Sequence, residues 1–128
     1  MISYPLRERS KQAQAIRKLL EEAAGPMSAN ELWSASQENG IGIATIYRAL
    51  KRGVEAGELC EANLPGSPTR YEPAGRTHHH HFLCSECHRA IDLHGCVPGL
   101  EAILPPQFTL TDHEILLFGL CADCSPAS

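Results

Sequence analysis

No stretch of this chain approaches the roughly 18 consecutive apolar residues of a membrane span. Its opening residues, MISYPLRERSKQ, also lack the apolar core of a signal peptide. No HExxH or HxxEH helix is present, and no glutamate stands between a histidine and a Pro-Cys-x-x-Cys, so the zinc hydrolase and deaminase patterns are missing. There is no internal repeat. The first 60 residues contain no histidine and one cysteine, with eight Lys/Arg against seven Asp/Glu. From Glu61 onward there are three Lys/Arg against eight Asp/Glu, five cysteines and all seven histidines. Two halves so different in kind predict two small domains in 128 residues. The overall charge of −4 argues against nucleic acid only if it is spread evenly, and it is concentrated in the second half, where bound divalent ions would offset it.

The first half reads as helical. Ala13, Ile16, Leu19, Leu20 and Ala23 recur at helical spacing over Arg9 to Ala24, and Gly25-Pro26 ends the run. Ser28 with Glu31 three residues later is a capping box, predicting a second helix to about Glu38. A third helix is expected from about Ala44 to Ala56, stopped by Gly57. Ile46, Leu50 and Val54 share one face of it; Thr45, Arg48 and Arg52 share another, flanked by Tyr47 and Lys51. Such a face suits the major groove, with arginines for guanine edges or phosphates and Thr45 or Tyr47 for a thymine methyl or the backbone, although an amphipathic helix with a solvated basic face has the same pattern. Glu58–Glu61 and Thr69–Glu72 read as strands around the turn Leu64-Pro-Gly-Ser-Pro68. Three helices followed by a hairpin is the order of a winged helix.

The second half carries the metal chemistry. Cys84-Ser-Glu-Cys87 and Cys121-Ala-Asp-Cys124 are two knuckles that together supply the four thiolates of a closed tetrahedral zinc site. This spacing points to metal in a reducing cytoplasm rather than to disulfides. His78-His79-His80-His81 precedes the first knuckle on an expected strand over His80 to Cys84. Alternation on a strand sends His79 and His81 one way and His78 and His80 the other, enough for two pockets; an engineered tag or a solvated polar strand is the blander reading. Ala90 to Leu93 is a further expected strand, Pro98 to Leu104 a short helix, and Phe108 to Phe118 has strand composition. Cys60, Glu72, Asp92, Glu101 and His113 are further candidate ligands; His88, His94 and Cys96 are possible ligands as well, without an assigned site.

In this order these residues resemble the ferric uptake regulator family of bacterial metal-dependent repressors. The resemblance rests on Ser28-Ala-x-Glu-Leu32, Ala44-Thr-Ile-Tyr-Arg-x-Leu50, Gly57-Glu-Leu59, Arg70-Tyr-Glu72, the run His78 to Cys87, and His113 to Cys124. It implies an α+β protein. A winged helix-turn-helix domain would occupy residues 1–73, a hinge 74–77, and a small α/β dimerisation domain with a four-cysteine zinc site 78–128. It also implies a cytoplasmic homodimer that binds double-stranded, AT-rich inverted-repeat operator DNA, with neither a membrane nor a small-molecule substrate as partner, and no catalysis.

The resemblance implies three metal positions: structural zinc on Cys84, Cys87, Cys121 and Cys124; a sensing site of Glu72, His79 and His81 completed from the first domain; and a third site of His78, His80, Glu101 and His113. Iron sensors often carry a histidine just before the Ser-Ala pair, where this chain has Pro26-Met27. Zinc sensors use the start of the wing, here Cys60, and a thiolate beside imidazoles suits Zn²⁺ better than Fe²⁺. His88 replaces the family's usual glycine. Asp92 matches a ligand of the peroxide-sensing branch, which also requires an N-terminal histidine. The expected function is zinc-responsive repression, with an iron or peroxide sensor as the alternative and a zinc-storage or carrier protein as the reading from another class.

Overall fold

A computed structural model describes residues 11–76 and 78–126. The described chain divides into two compact units, residues 1–76 and 77–128. The expected start of the first helix at Arg9 lies outside the described residues.

In the first unit, α1 (Lys11–Glu22), α2 (Ala29–Ala35) and α3 (Ile43–Glu55) pack around Ile16, Leu20, Ala29, Leu32, Ile41, Ile46, Leu50 and Leu59. The Ser28 hydroxyl accepts from the Glu31 amide at 3.1 Å, and the Glu31 carboxylate accepts from the Ser28 amide at 2.9 Å, so the capping box sets where α2 begins. The helix is shorter than expected: it stops at Ala35, and Gln37–Asn39 form a separate 3-10 turn closed by Gly40 at φ +64°. Ser36 and Gln37 both donate side-chain hydrogen bonds to the Trp33 carbonyl, competing with the next helical turn.

Helix α3 ends as the glycine requires. Gly57 adopts φ +75°, its amide donates to Val54, and the Glu58 amide donates to the Gly53 carbonyl at 2.8 Å. Strands β2 (Leu59–Ala62) and β3 (Arg70–Pro73) form the hairpin. A two-residue strand β1 (Met27–Ser28), not foreseen from sequence, pairs with the other side of β3 to give the order β1-β3-β2. This is a winged helix.

In the second unit β4 (His80–Cys84) lies between β5 (Ala90–Leu93), antiparallel to it, and β6 (Leu116–Gly119), parallel to it. The parallel pairing requires a crossover, and the segment after β5 supplies it with a 3-10 turn, Leu100–Ile103, where a short helix was expected. Of the expected strand Phe108–Phe118, only the last residues pair. β4 starts at His80, so residues before Ile115 have no strand beside them, and the Ile115 amide donates to the His80 ring instead. Leu117 and Phe118 on the β6 edge are 50% and 61% exposed. No helix among the described residues is long and apolar enough to cross a membrane.

Candidate metal centres and nucleic-acid face

The turn after β4 and the turn after β6 bring Cys84, Cys87, Cys121 and Cys124 together. All are free thiols. Cys87 Sγ and Cys121 Sγ are 3.8 Å apart, far beyond a disulfide and equal to the edge of about 3.8 Å that a tetrahedron of Zn–S bonds near 2.3 Å requires. Amides of the knuckles point at sulfur: Cys87 and Cys121 donate to Cys84 Sγ at 3.5 and 3.4 Å. Those amides, Cys121 first, draw the Cys84 thiol down to about 5. Arg89 donates to Cys121 Sγ at 3.2 Å and lowers that thiol too. Cys124, half-buried and hydrogen-bonded to Cys121 first of all, is pushed up to about 12. Four sulfurs this close cannot all ionise without a cation among them, and a closed all-sulfur set suits Zn²⁺.

The four histidines separate as a strand requires. On one face, His78, His80, His113 and Cys96 converge. His78 Nε2 lies 3.0 Å from His80 Nε2, and Cys96 Sγ lies 2.8, 3.4 and 3.8 Å from the Nε2 atoms of His113, His80 and His78. His80 is buried, and burial followed by the nearby His78 and His113 holds its imidazole below the ordinary range, in the neutral form that binds metals. Glu101, expected here, is not brought to the cluster. It sits exposed on the 3-10 turn, five residues beyond Cys96, which follows β5 closely and joins the cluster instead.

On the opposite face the Nε2 atoms of His79 and His81 lie 3.6 and 3.5 Å from one carboxylate oxygen of Asp92, which is buried on β5. Asp92 was a candidate ligand in the sequence, with no place in the expected sensing site; the antiparallel register His81↔Asp92 makes it a neighbour of both histidines. The other two expected sensing ligands lie in the first unit. Cys60 on β2 is directly opposite Glu72 on β3, so both side chains share a sheet face; Cys60 is exposed and Glu72 is 9% exposed. Two imidazoles and a carboxylate of the second unit are ligands suited to a divalent ion.

On α3 the candidate DNA residues are accessible. Tyr47, Arg48, Lys51 and Arg52 are exposed and Thr45 half-exposed, while Ile46 and Leu50 are buried beneath them. Arg48 donates to the Thr45 hydroxyl at 3.0 Å, which orders its guanidinium along the helix surface. His88, where the resemblance led one to expect glycine, does take φ +64°, the conformation that glycine adopts without strain.

The model of the ferric uptake regulator family matches residues 8–118. The ferric uptake regulation protein of Campylobacter upsaliensis is 31% identical over 98 residues, covering 74% of this chain. The chain spans 63% of that relative's length. The crystal structure of the Vibrio cholerae ferric uptake regulator superposes with a TM-score of 0.67 at 26% identity, covering 89% of this chain and 92% of that one. A zinc-bound manganese uptake regulator superposes with a TM-score of 0.75 at 26% identity, covering 89% and 90%.

Proposed function

Because the chain belongs to the ferric uptake regulator family, we propose that it is a metal-responsive transcriptional repressor that binds operator DNA as a homodimer and takes Zn²⁺ as its signal. The observation that carries the choice of zinc is the pairing of Cys60 with Glu72 across the wing hairpin. A thiolate is thereby offered on the same sheet face as the carboxylate of Arg70-Tyr-Glu72, and thiolate with imidazole favours Zn²⁺ over Fe²⁺.

In this reading Cys60 and Glu72 of the first unit, with His79 and His81 of the second, hold the regulatory ion. Ligands drawn from both sides of residues 74–77 restrict the hinge and hold the two recognition helices of a dimer about one DNA turn apart. Thr45, Tyr47, Arg48, Lys51 and Arg52 then meet successive major grooves of an AT-rich inverted repeat. The ion binds the DNA-competent state more tightly, so by reciprocity operator DNA tightens ion binding. The exposed Leu117 and Phe118 on the open edge of β6 support a second copy as the partner. A reducing, cytoplasmic setting suits the free thiols.

Asp92 favours a second reading. Its oxygen beside His79 and His81 completes a nitrogen–oxygen set without any thiolate, which suits Fe²⁺ or Mn²⁺ and a sensor of iron or peroxide. That branch also calls for a histidine from the N-terminal domain, and the chain has none before His78.

Fluorescence anisotropy on AT-rich inverted repeats against random duplexes, at fixed salt and over buffered Zn²⁺ and anaerobic Fe²⁺, separates these. The zinc reading expects specific binding with Zn²⁺ alone, abolished by Cys60→Ser and retained by Asp92→Asn. Specific binding with Fe²⁺ alone, lost in Asp92→Asn, moves the protein to the second reading. Specific binding with neither ion, over a broad operator pool, leaves a zinc-storage or carrier protein.

A further inference from the structure

We propose that Cys96, and not Glu101, completes the third metal position, making it a three-histidine, one-thiolate site for a borderline-soft cation such as Zn²⁺. Tetrahedral Zn²⁺ with bonds near 2.0–2.1 Å to nitrogen and 2.3 Å to sulfur needs N···N edges of about 3.3 Å and N···S edges of about 3.6 Å. The N···S separations of 2.8, 3.4 and 3.8 Å bracket the sulfur edge, and the N···N separation of 3.0 Å falls a few tenths of an ångström short of the nitrogen edge. The rings pack together, His78 meeting His80 and His113 with centroids at 4.5 and 4.8 Å, and the four donor atoms all lie within 4.8 Å of one another.

The backbone explains why cysteine reaches this point. Cys96 stands three residues beyond the end of β5, which is paired with β4, whereas Glu101 is five residues further along the connection. Three separate segments therefore meet on one cation: His78 and His80 at β4, Cys96 from the connection after β5, and His113 from the connection before β6. Both connections are irregular and have exposed apolar side chains, Val97 and Phe108 among them, so a ligand from each supplies order that strand pairing does not. His80 Nδ1 accepts from the Ile115 amide at 3.1 Å. Ligation through Nε2 places the ring proton on Nδ1, so loading the site releases that amide and links the cation to the start of β6.

A thiolate in place of the Glu101 carboxylate shifts the site's preference from Mn²⁺ and Fe²⁺ towards Zn²⁺. The inference deepens the third position of the proposed function, and its test needs no DNA, so either can fail alone. The full-length protein is loaded with one equivalent of Zn²⁺ to fill the four-cysteine site. Further Zn²⁺ is then titrated while iodoacetamide alkylation of Cys96 is followed by peptide mass spectrometry. The expected result is a tenfold or greater slowing of Cys96 alkylation, kept in Glu101→Gln and lost in His113→Ala. Co²⁺ in place of the further Zn²⁺ should give sulfur-to-cobalt charge-transfer absorption in Cys60→Ser but none in the Cys60→Ser, Cys96→Ser double variant. Unchanged Cys96 alkylation, protection that survives His113→Ala, or protection abolished by Glu101→Gln would each overturn the assignment.

Discussion

Arg70 and Glu31 are 39 positions apart, and the guanidinium of Arg70 reaches the same carboxylate oxygen that caps α2. Arg70 also donates to the Pro26 carbonyl at 3.1 Å and to the Ser67 hydroxyl at 2.8 Å, and it is 2% exposed. A buried charge is tolerated only when it is paired and hydrogen-bonded, and here the partners come from the wing turn, the residue before β1 and the start of α2. One side chain thus fixes the wing to the helix-turn-helix.

Arg70→Met should therefore destabilise the first unit by about 2 kcal/mol, less than the full cost of breaking a buried pair because Glu31 stays partly solvated. Glu31→Ala should cost a similar amount through loss of the cap as well as the ion pair. Urea unfolding followed by far-ultraviolet circular dichroism measures both. An Arg70→Met variant as stable as the parent would show that the pair contributes nothing net.

Gly53 is needed for a different reason. A Cβ there would lie 2.5 Å from Leu59 Cδ1, where α3 seats on β2. Gly53→Ala should cost about 1–3 kcal/mol by overpacking, despite the better helix propensity of alanine. A rise in the urea midpoint would mean that Leu59 moves aside without penalty.

Removing the ion from the four-cysteine site should melt the second unit and spare the first. The described α-helices all belong to residues 11–76, which have their own core. β4 and β6, by contrast, lead directly into the knuckles. A strong chelator, or Cys121→Ser, should leave the helical circular dichroism signal largely intact while hydrogen exchange at residues 80–84 and 116–119 accelerates at least tenfold. Coincident loss of both signals would show the units to be one cooperative body.

Arg89 steers Cys121 by its hydrogen bond to sulfur while pairing with Asp123 at 3.1 Å. Arg89→Ala should weaken zinc retention by about 10–100-fold, the usual cost of losing a group that orients a ligand. Competition with a chromophoric chelator reads this directly, and an unchanged affinity would reduce Arg89 to a surface residue.

On the recognition helix, Arg48→Ala should lower specific operator affinity by about 1–3 kcal/mol if it reads a base, and Lys51→Ala should weaken all sequences alike and reduce the salt slope by about one. Anisotropy at several salt concentrations distinguishes the two. An Arg48→Ala effect equal on operator and random DNA would place that arginine on phosphate.

The amino-acid order alone determined most of the architecture. Local signals are strong where one short segment contains the whole instruction: Ser28 with Glu31 for a helix start, Gly57 for a helix stop, two CxxC knuckles for a zinc set, and four consecutive histidines whose alternation sends them to two faces. Resemblance added the winged-helix order and the ligand positions that such proteins use. What the order could not supply was pairing between distant segments. β1 is two residues long and exists only because β3 lies beside it. Phe108–Ile115 has strand composition but no strand to join, so its amides turn elsewhere. Asp92 became a neighbour of His79 and His81 through strand register, and Cys96 took the place expected of Glu101 through the course of the connection after β5. A metal ligand is defined by where its donor atom stops in space, within a few tenths of an ångström, and only the tertiary structure decides that for residues that meet across loops.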